Sequence, residues 1–391
     1  MKNNDQLTPE GTRDVLFEEC AAKRTISERV TGLFESYGYS EVITPGLEFY
    51  DVFNGKVRYF PQEAMYKLVD GKNRLMVLRP DSTLPIARLA ATRLRQEELP
   101  LKLFYNQNIY MVNPKDSGRD DEIAQSGIEI IGGERDATDC EALVLAAKTL
   151  AACDENFRLE IGDSGIFREL ISQYDSDSGE IENIRHMIEI KDYPGLENSD
   201  APVALKALPR LFGGMEVFNV AKKYLGGKAL DKKLARLKKL CEELSEVIPA
   251  EKLRVDLGLV HKNDYYTGLI FRGYVEGYGL PALSGGRYDT LLGDFGREAA
   301  AVGFAVNVEA AAKVFLKKNK DCLVRSPDVL VYGERGSELA ALKHCGELIE
   351  QGMAVFNFNG ESAEQARGYA KSHKIPRIDI ISGGNVMTEE V

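Results

Sequence analysis

The sequence predicts an α+β fold in two parts, a large core of mixed strands and helices and a small C-terminal α/β domain. Three observations predict it. Apolar and polar residues alternate in runs such as Leu269-Ile270-Phe271-Arg272-Gly273-Tyr274-Val275, the pattern of a half-buried strand. From Ser164 to about Ala250 the pattern changes to consecutive helices with little strand signal, which reads as a helical insertion in the core. Beyond Pro327 strand and helix alternate, and that order favours a small, mostly parallel three-stranded sheet.

At 391 residues the chain is long enough for two or three domains. No apolar run reaches the roughly 18 residues of a membrane span, and the polar start Met1-Lys2-Asn3-Asn4-Asp5 does not read as a signal peptide. The six cysteines (Cys20, Cys140, Cys153, Cys241, Cys322, Cys345) are scattered and form no C-x-x-C pair. No metal site or disulfide framework is expected, and a cytoplasmic location is. A net charge of −11 gives no electrostatic footprint for nucleic acid.

The elements follow in order. Leu7–Asp14 is a polar, turn-rich opening; a helix is expected from Glu18 to Tyr37, closed by Gly38. Ser40–Pro45 reads as a short strand that the proline terminates. Ala64–Leu68 and Arg74–Leu78 read as strands around Asp70-Gly71-Lys72-Asn73. The second runs into Arg79-Pro80-Asp81-Ser82-Thr83 and a helix starting near Leu84. Asp81, Ser82 and Thr83 suit either helix caps or, as carboxylate and hydroxyl at a strand-to-helix step, a site for an amino group.

Lys102–Val112 and Glu122–Gly132 read as strands joined by a polar loop. Period two places Gln125, Gly127 and Glu129 on one face of the second, with Ile128 and Ile130 on the other. A carboxylate among isoleucines needs a cationic or N–H partner, either a structural arginine or a ligand. A helix with Ala142, Leu145, Ala146 and Leu150 as its core stripe follows. Lys222–Leu244 is an amphipathic helix with a solvated face.

Asp264-Tyr265-Tyr266-Thr267-Gly268 and Leu283-Ser284-Gly285-Gly286-Arg287-Tyr288-Asp289 flank the strand 269–275 and read as a hairpin. Its glycines are turn formers or places where backbone approaches a ligand, and its tyrosines can line a small-molecule pocket. Ala301–Ala310 is a last core element, and Lys317–Asp321 a charged linker. Strands at Val329–Tyr332, Ala354–Phe358 and Ile378–Ile381 alternate with helices at Ser337–Gln351 and Ser362–His373. Residues 325–391 carry seven Lys and Arg against ten Asp and Glu, a poor surface for RNA.

Gly11-Thr12-Arg13-Asp14, Leu78-Arg79-Pro80-Asp81-Ser82-Thr83, Gln125-Ser126-Gly127-Ile128-Glu129, Asp264–Gly268 and Gly285–Asp289 resemble, in order and spacing, the motifs of histidyl-tRNA synthetases. The resemblance implies a class II aminoacyl-tRNA synthetase-like antiparallel sheet flanked by helices, with the helical insertion at about 165–250. It divides the chain into a core of residues 1–320 and a domain of residues 321–391 similar to a shortened anticodon-binding domain. It places Pro45 at that class's dimer interface. It also implies a histidine pocket in which Asp81 and Thr83 hold the α-amino group. Glu129, Tyr265 and Tyr266 read the imidazole, Gln125 faces the carboxylate, and Gly285, Gly286 and Tyr288 close the pocket.

The departures from the synthetase pattern fall at its ATP-binding arginines. Their positions hold Tyr110, His261 and Ala310, and the acid two residues after Tyr110 is Val112. Each lost charge-assisted contact costs roughly 1.5–3 kcal/mol of binding, and more in a transition state. The chain is therefore most similar to the regulatory subunits of ATP phosphoribosyltransferase. That resemblance implies no catalytic residues and no cofactor, a homodimer through the synthetase-like core, and a short-form catalytic subunit as partner. It further implies L-histidine as feedback ligand and neither tRNA nor membrane binding. The alternatives are an active histidyl-tRNA synthetase and a free-standing histidine-binding protein or a modifier acting on some other target.

Overall fold

The computed structural model describes residues 7–55, 59–114, 119–260, 265–319 and 325–391. It separates into two compact units, residues 1–318 and 319–391. In the first, α1 (Phe17–Ser36) buries Ile26, Val30 and Phe34 and ends at Gly38, whose φ of 78° a side chain would strain. Next come β1 (Ser40–Glu41), β2 (Leu47–Phe49), α2 (Asp51–Asn54), β3 (Lys67–Val69), β4 (Leu75–Leu78) and α3 (Thr83–Thr92). The strand expected over Ser40–Pro45 is cut to two residues: Val42 still donates to the Phe104 carbonyl of β5 at 2.9 Å, but the Thr44 N–H turns to the Gln107 side chain and the chain passes to β2. A short 3-10 turn occupies Gln62–Ala64, so the strand expected from Ala64 begins at Lys67.

The centre of the unit is built from β5 (Leu101–Tyr110), β6 (Glu122–Ile131), α4 (Arg135–Cys153) and β7 (Phe157–Asp163). The insertion contributes α5 (Ser164–Ile171), α6 (Ser178–Glu189), α7 (Tyr193–Asn198), α8 (Val203–Ala207), the two-residue β8 (Phe212–Gly213), α9 (Val217–Ala221) and α10 (Lys228–Leu244). Aspartates 163, 177 and 192 accept backbone N–H groups at the starts of α5, α6 and α7, the usual device for the orphan donors of a first turn. The chain then returns through β9 (Leu253–Asp256), β10 (Leu269–Val275), β11 (Leu283–Arg287), β12 (Ala301–Asn307) and α11 (Val308–Lys318). The charged stretch expected as linker thus begins inside a helix.

The large sheet runs β1-β5-β6-β12-β11-β10-β7-β9-β8 and is antiparallel except at β1–β5 and β7–β9. Its two faces differ in chemistry. Phe104, Ile128, Phe271 and Phe304 point to one side, where Phe34 of α1 meets Phe104 and Phe304 at ring separations of 5.9 Å and α4 also packs. The alternating residues of the same strands, Tyr105, Glu129, Gly303, Ser284 and Arg272, face the other side. Helix α3 and the small sheet β2-β4-β3 stand over one end of that second face.

The second unit consists of β13 (Val329–Gly333), α12 (Glu338–Glu350), β14 (Val355–Phe358), α13 (Ala363–Ser372), β15 (Arg377–Ser382) and β16 (Asn385–Glu390). Its sheet has four strands, not three, in the order β14-β13-β15-β16, and the added β16 is antiparallel. The tight Gly383-Gly384 turn, both glycines at positive φ, reverses the chain into it. Helices α12 and α13 cover opposite faces of this sheet.

Candidate functional site

A cavity of about 350 Å³ opens on the polar face of the large sheet, a size usual for small-molecule sites. Asp81, Thr83, Gln125, Tyr265, Tyr266 and Tyr288 line it. Glu129 does not line it: 1% exposed, it lies behind the lining residues Thr83 and Tyr288, with Thr83 Oγ1 donating to Oε1 at 2.8 Å and the Tyr288 hydroxyl donating to Oε2. Its partners are hydroxyls, and no arginine of the described residues pairs with it. Burial pushes its carboxyl up to about 8; the two hydroxyls pull it back, and the nearby charge of Asp81 raises it further. Burial likewise raises Asp81 to about 6, against the backbone N–H groups of Leu84 and Thr83 and a hydrogen bond with Tyr265. The Leu84 bond, at 2.9 Å in the first turn of α3, makes Asp81 a helix cap and a cavity wall at once.

The tyrosines form one aromatic wall. The rings of Tyr265 and Tyr266 lie 4.7 Å apart, and that of Tyr288 stands edge-on to Tyr265 at 6.1 Å. The two hairpin glycines do different things. A Cβ on Gly286 would strike the Tyr266 ring, so this residue makes room for the wall without touching the cavity. Gly285 faces the opposite side, towards Phe271 and Phe304. Residues 261–264, including His261 and Asp264, lie outside the described residues.

Sequence reasoning missed three contributors. Gly303 of β12 sits opposite Glu129, and any side chain there would collide with the carboxylate. Arg119 lines the cavity beside Gln125 and also a second cavity, of about 640 Å³, that shares Ser284 with the first. Arg79 is 6% exposed and donates to the carbonyls of Thr44 at 2.5 Å and Asn108 at 2.6 Å and to Gln107 Oε1 at 2.9 Å. It thereby pins the β4–α3 step that carries Asp81 and Thr83. The only early signal was the Arg-Pro-Asp run that contains Arg79.

The second cavity is balanced in charge. Asp120, Glu189 and Glu309 face Arg119, Arg272 and Lys313. Lys313 lies 3.4 Å from Asp120, Arg272 lies 3.8 Å from Glu189, and Lys23 reaches Glu309 at 3.1 Å. Ala310 lines this cavity, its backbone N–H donating to Asn307 Oδ1 at 2.9 Å. Tyr110 instead donates to Glu122 Oε1 at 3.1 Å on the neighbouring strand, and Val112 is exposed. Among the described residues no group of three or more His, Cys, Asp or Glu could hold a metal ion.

The hairpin is braced from behind by a buried ion-pair chain. Arg287, 2% exposed, donates from Nε to Asp139 Oδ1 at 2.7 Å and from Nη2 to Thr138 at 2.7 Å. The other oxygen of the fully buried Asp139 accepts from Arg236 of α10 at 2.6 Å. One carboxylate thus ties the strand before Tyr288 to α4 and to the insertion.

The sheet, its helices and this cleft are those of a histidyl-tRNA synthetase-like protein, and the histidyl-tRNA synthetase family model matches residues 11–311. The solved histidyl-tRNA synthetase of a Nostoc species shares the fold, with a TM-score of 0.72 at 18% identity over 98% of this chain and 94% of that one. Within that class the chain belongs to the ATP phosphoribosyltransferase regulatory subunit family. It is 38% identical to the regulatory subunit of Clostridium kluyveri over 97% of this chain and 100% of that one, and 37% identical to that of Clostridium acetobutylicum over 100% and 98%. A solved structure from Bacillus halodurans, described as an ATP phosphoribosyltransferase regulatory subunit/histidyl-tRNA synthetase, superposes with a TM-score of 0.80. It is 28% identical and covers 93% of this chain and 96% of its own.

Proposed function

We propose that this chain is a non-catalytic subunit of an ATP phosphoribosyltransferase, required for the first step of histidine biosynthesis, which senses L-histidine in the cleft and carries its feedback signal to a short catalytic subunit. The observation that carries this reading is the contrast between the two cavities. The first is lined by the carboxylate of Asp81, with Glu129 buried just behind Thr83 and Tyr288; burial raises both carboxyls, and a ligand bearing an ammonium group and ring N–H donors would favour their ionised forms. Gln125 and Arg119 would meet the ligand's carboxylate. In the second, carboxylates answer the cations that ATP's phosphates would need, so adenylate formation has no preorganised positive field. The replacement of synthetase arginines by Tyr110, His261 and Ala310 belongs to the same reading, as do the absence of tRNA binding and a cytoplasmic location.

A homodimer through the core fits the exposed apolar patch around Pro45. Ile43 is 75% exposed, and Leu47, Phe49 and Leu75 on the β2-β4-β3 sheet stand open beside it. Histidine inhibits only by binding one state of the whole complex more tightly than another.

Calorimetry of the purified chain tests the pocket: histidine binds and ATP does not. Glu129→Ala removes a buried hydrogen-bonding carboxyl behind the pocket wall and weakens histidine binding about 10- to 100-fold, and the complex with a short phosphoribosyltransferase then escapes histidine inhibition. Unchanged inhibition overturns the pocket. ATP–pyrophosphate exchange driven by histidine would establish the synthetase reading instead.

A further inference from the structure

We propose that the outer face of α12 and the free edge of β14 form a self-association surface that pairs with the same surface of a second copy of this chain across a two-fold axis. Helix α12 covers its sheet with Ala341, Cys345 and Leu348, which leaves Leu339 83% exposed, Ile349 58% and Leu342 53%. With Gly346 these occupy positions i, i+3, i+7 and i+10, a single stripe two turns and more in length. An exposed leucine alone means little; three aligned with a glycine on an otherwise charged helix do not suit a solvated face.

The stripe has a definite place in the fold. His344 points to Asp379 of β15, with Nε2 at 2.7 Å from Oδ2, while the next residue, Cys345, lies against Asn357 of β14. Leu342 and Ile349 flank Cys345 on the side away from His344, so the stripe overhangs β14. That strand ends the sheet, and among the described residues no strand lies beside it. A free strand edge and an unpartnered apolar helix face therefore share one border of the domain. Either alone is a liability; together they are the two layers of an α/β domain cut open.

A second copy closes both layers at once. Antiparallel pairing of β14 with its two-fold mate sets the two α12 helices antiparallel on the same face of a joined sheet. Leu342 of one copy then faces Ile349 of the other, with the glycines at the centre allowing close approach; nothing lies within 4 Å of where a Cβ on Gly346 would be. The charges agree. Lys343 and Glu350 flank the stripe on its solvent side, and antiparallel pairing brings Lys343 of each copy to Glu350 of the other. A parallel arrangement would set lysine against lysine.

The test uses the full-length chain. Light scattering and sedimentation are run on wild type, Leu342→Glu/Ile349→Glu, and Phe49→Glu, which addresses the core patch separately. The expected result is that the α12 variant has a lower mass than wild type with the same melting temperature. Phe49→Glu also lowers it, by the other contact. Gly346→Cys should give a covalent dimer on mild oxidation that wild type, with its own cysteines, does not give; this decides the matter if the double variant fails to fold. Equal masses for wild type and the folded α12 variant at every concentration overturn the proposal. So does a Gly346→Cys chain that yields no crosslink, or crosslinks only to an added catalytic subunit.

Discussion

Glu129 and Asp81 hold protons that free carboxyls would have lost, and the direction of the effect is testable without any ligand. A carboxyl raised from its usual 4.5 to about 8 favours the folded state at acid pH. That contribution is complete below about 4.5 and disappears as pH climbs through 8. The unliganded protein should therefore lose melting temperature between about pH 5 and pH 8, and Glu129→Gln should flatten the slope over that interval. An equal slope in the variant would show that Glu129 is ionised at neutrality. The residue's inward orientation was legible from period two alone. Its partners were not, because Thr83 and Tyr288 come from segments 46 and 159 positions away.

Among elements, the β11 hairpin depends on its bracing from α4. Asp139→Ala would strand Arg287 in a buried setting with its principal counter-charge gone and loosen α10 through Arg236, at a cost of about 3–5 kcal/mol in denaturant unfolding. Arg236→Ala, removing a partner that is 30% exposed, should cost far less. The long central strands β5 and β6 and helix α4 were legible because each repeats one period over ten residues or more. Phe157–Asp163, unassigned from sequence, is nevertheless the strand that joins β10 to β9. Its cleft face carries Arg158 and Glu160, charges that read locally as surface, and only pairing on both sides makes it a strand. β8 escaped because it is two residues long and depends on a distant partner, and β16 because its run of Asn, Thr and Glu reads as a polar surface tail.

For the molecule as a whole, the division into units and the identity of the pocket came by different routes. Alternating patterns say which residues share a face; they do not say which faces meet. The cleft joins residues near 80, 125, 265, 285 and 303, and only the motif resemblance linked the first four before the fold did. Arg119 and Gly303 stayed hidden, one in a polar loop and the other in an apolar strand without a distinguishing neighbour. At this scale Phe49→Glu should abolish core dimerisation, read as a lower mass in sedimentation, and with it any stable complex with a short phosphoribosyltransferase.

The hydrogen that serves as the side chain of Gly303 has a genetic corollary. Every missense change of that codon adds at least a methyl group where the Glu129 carboxylate lies, so each should disturb the pocket. A selection for growth on a toxic histidine mimic should then return codon 303 repeatedly, with many different amino acids, whereas position 129 should yield a narrower set. The distribution of resistant alleles along the gene would trace the pocket's outline in living cells.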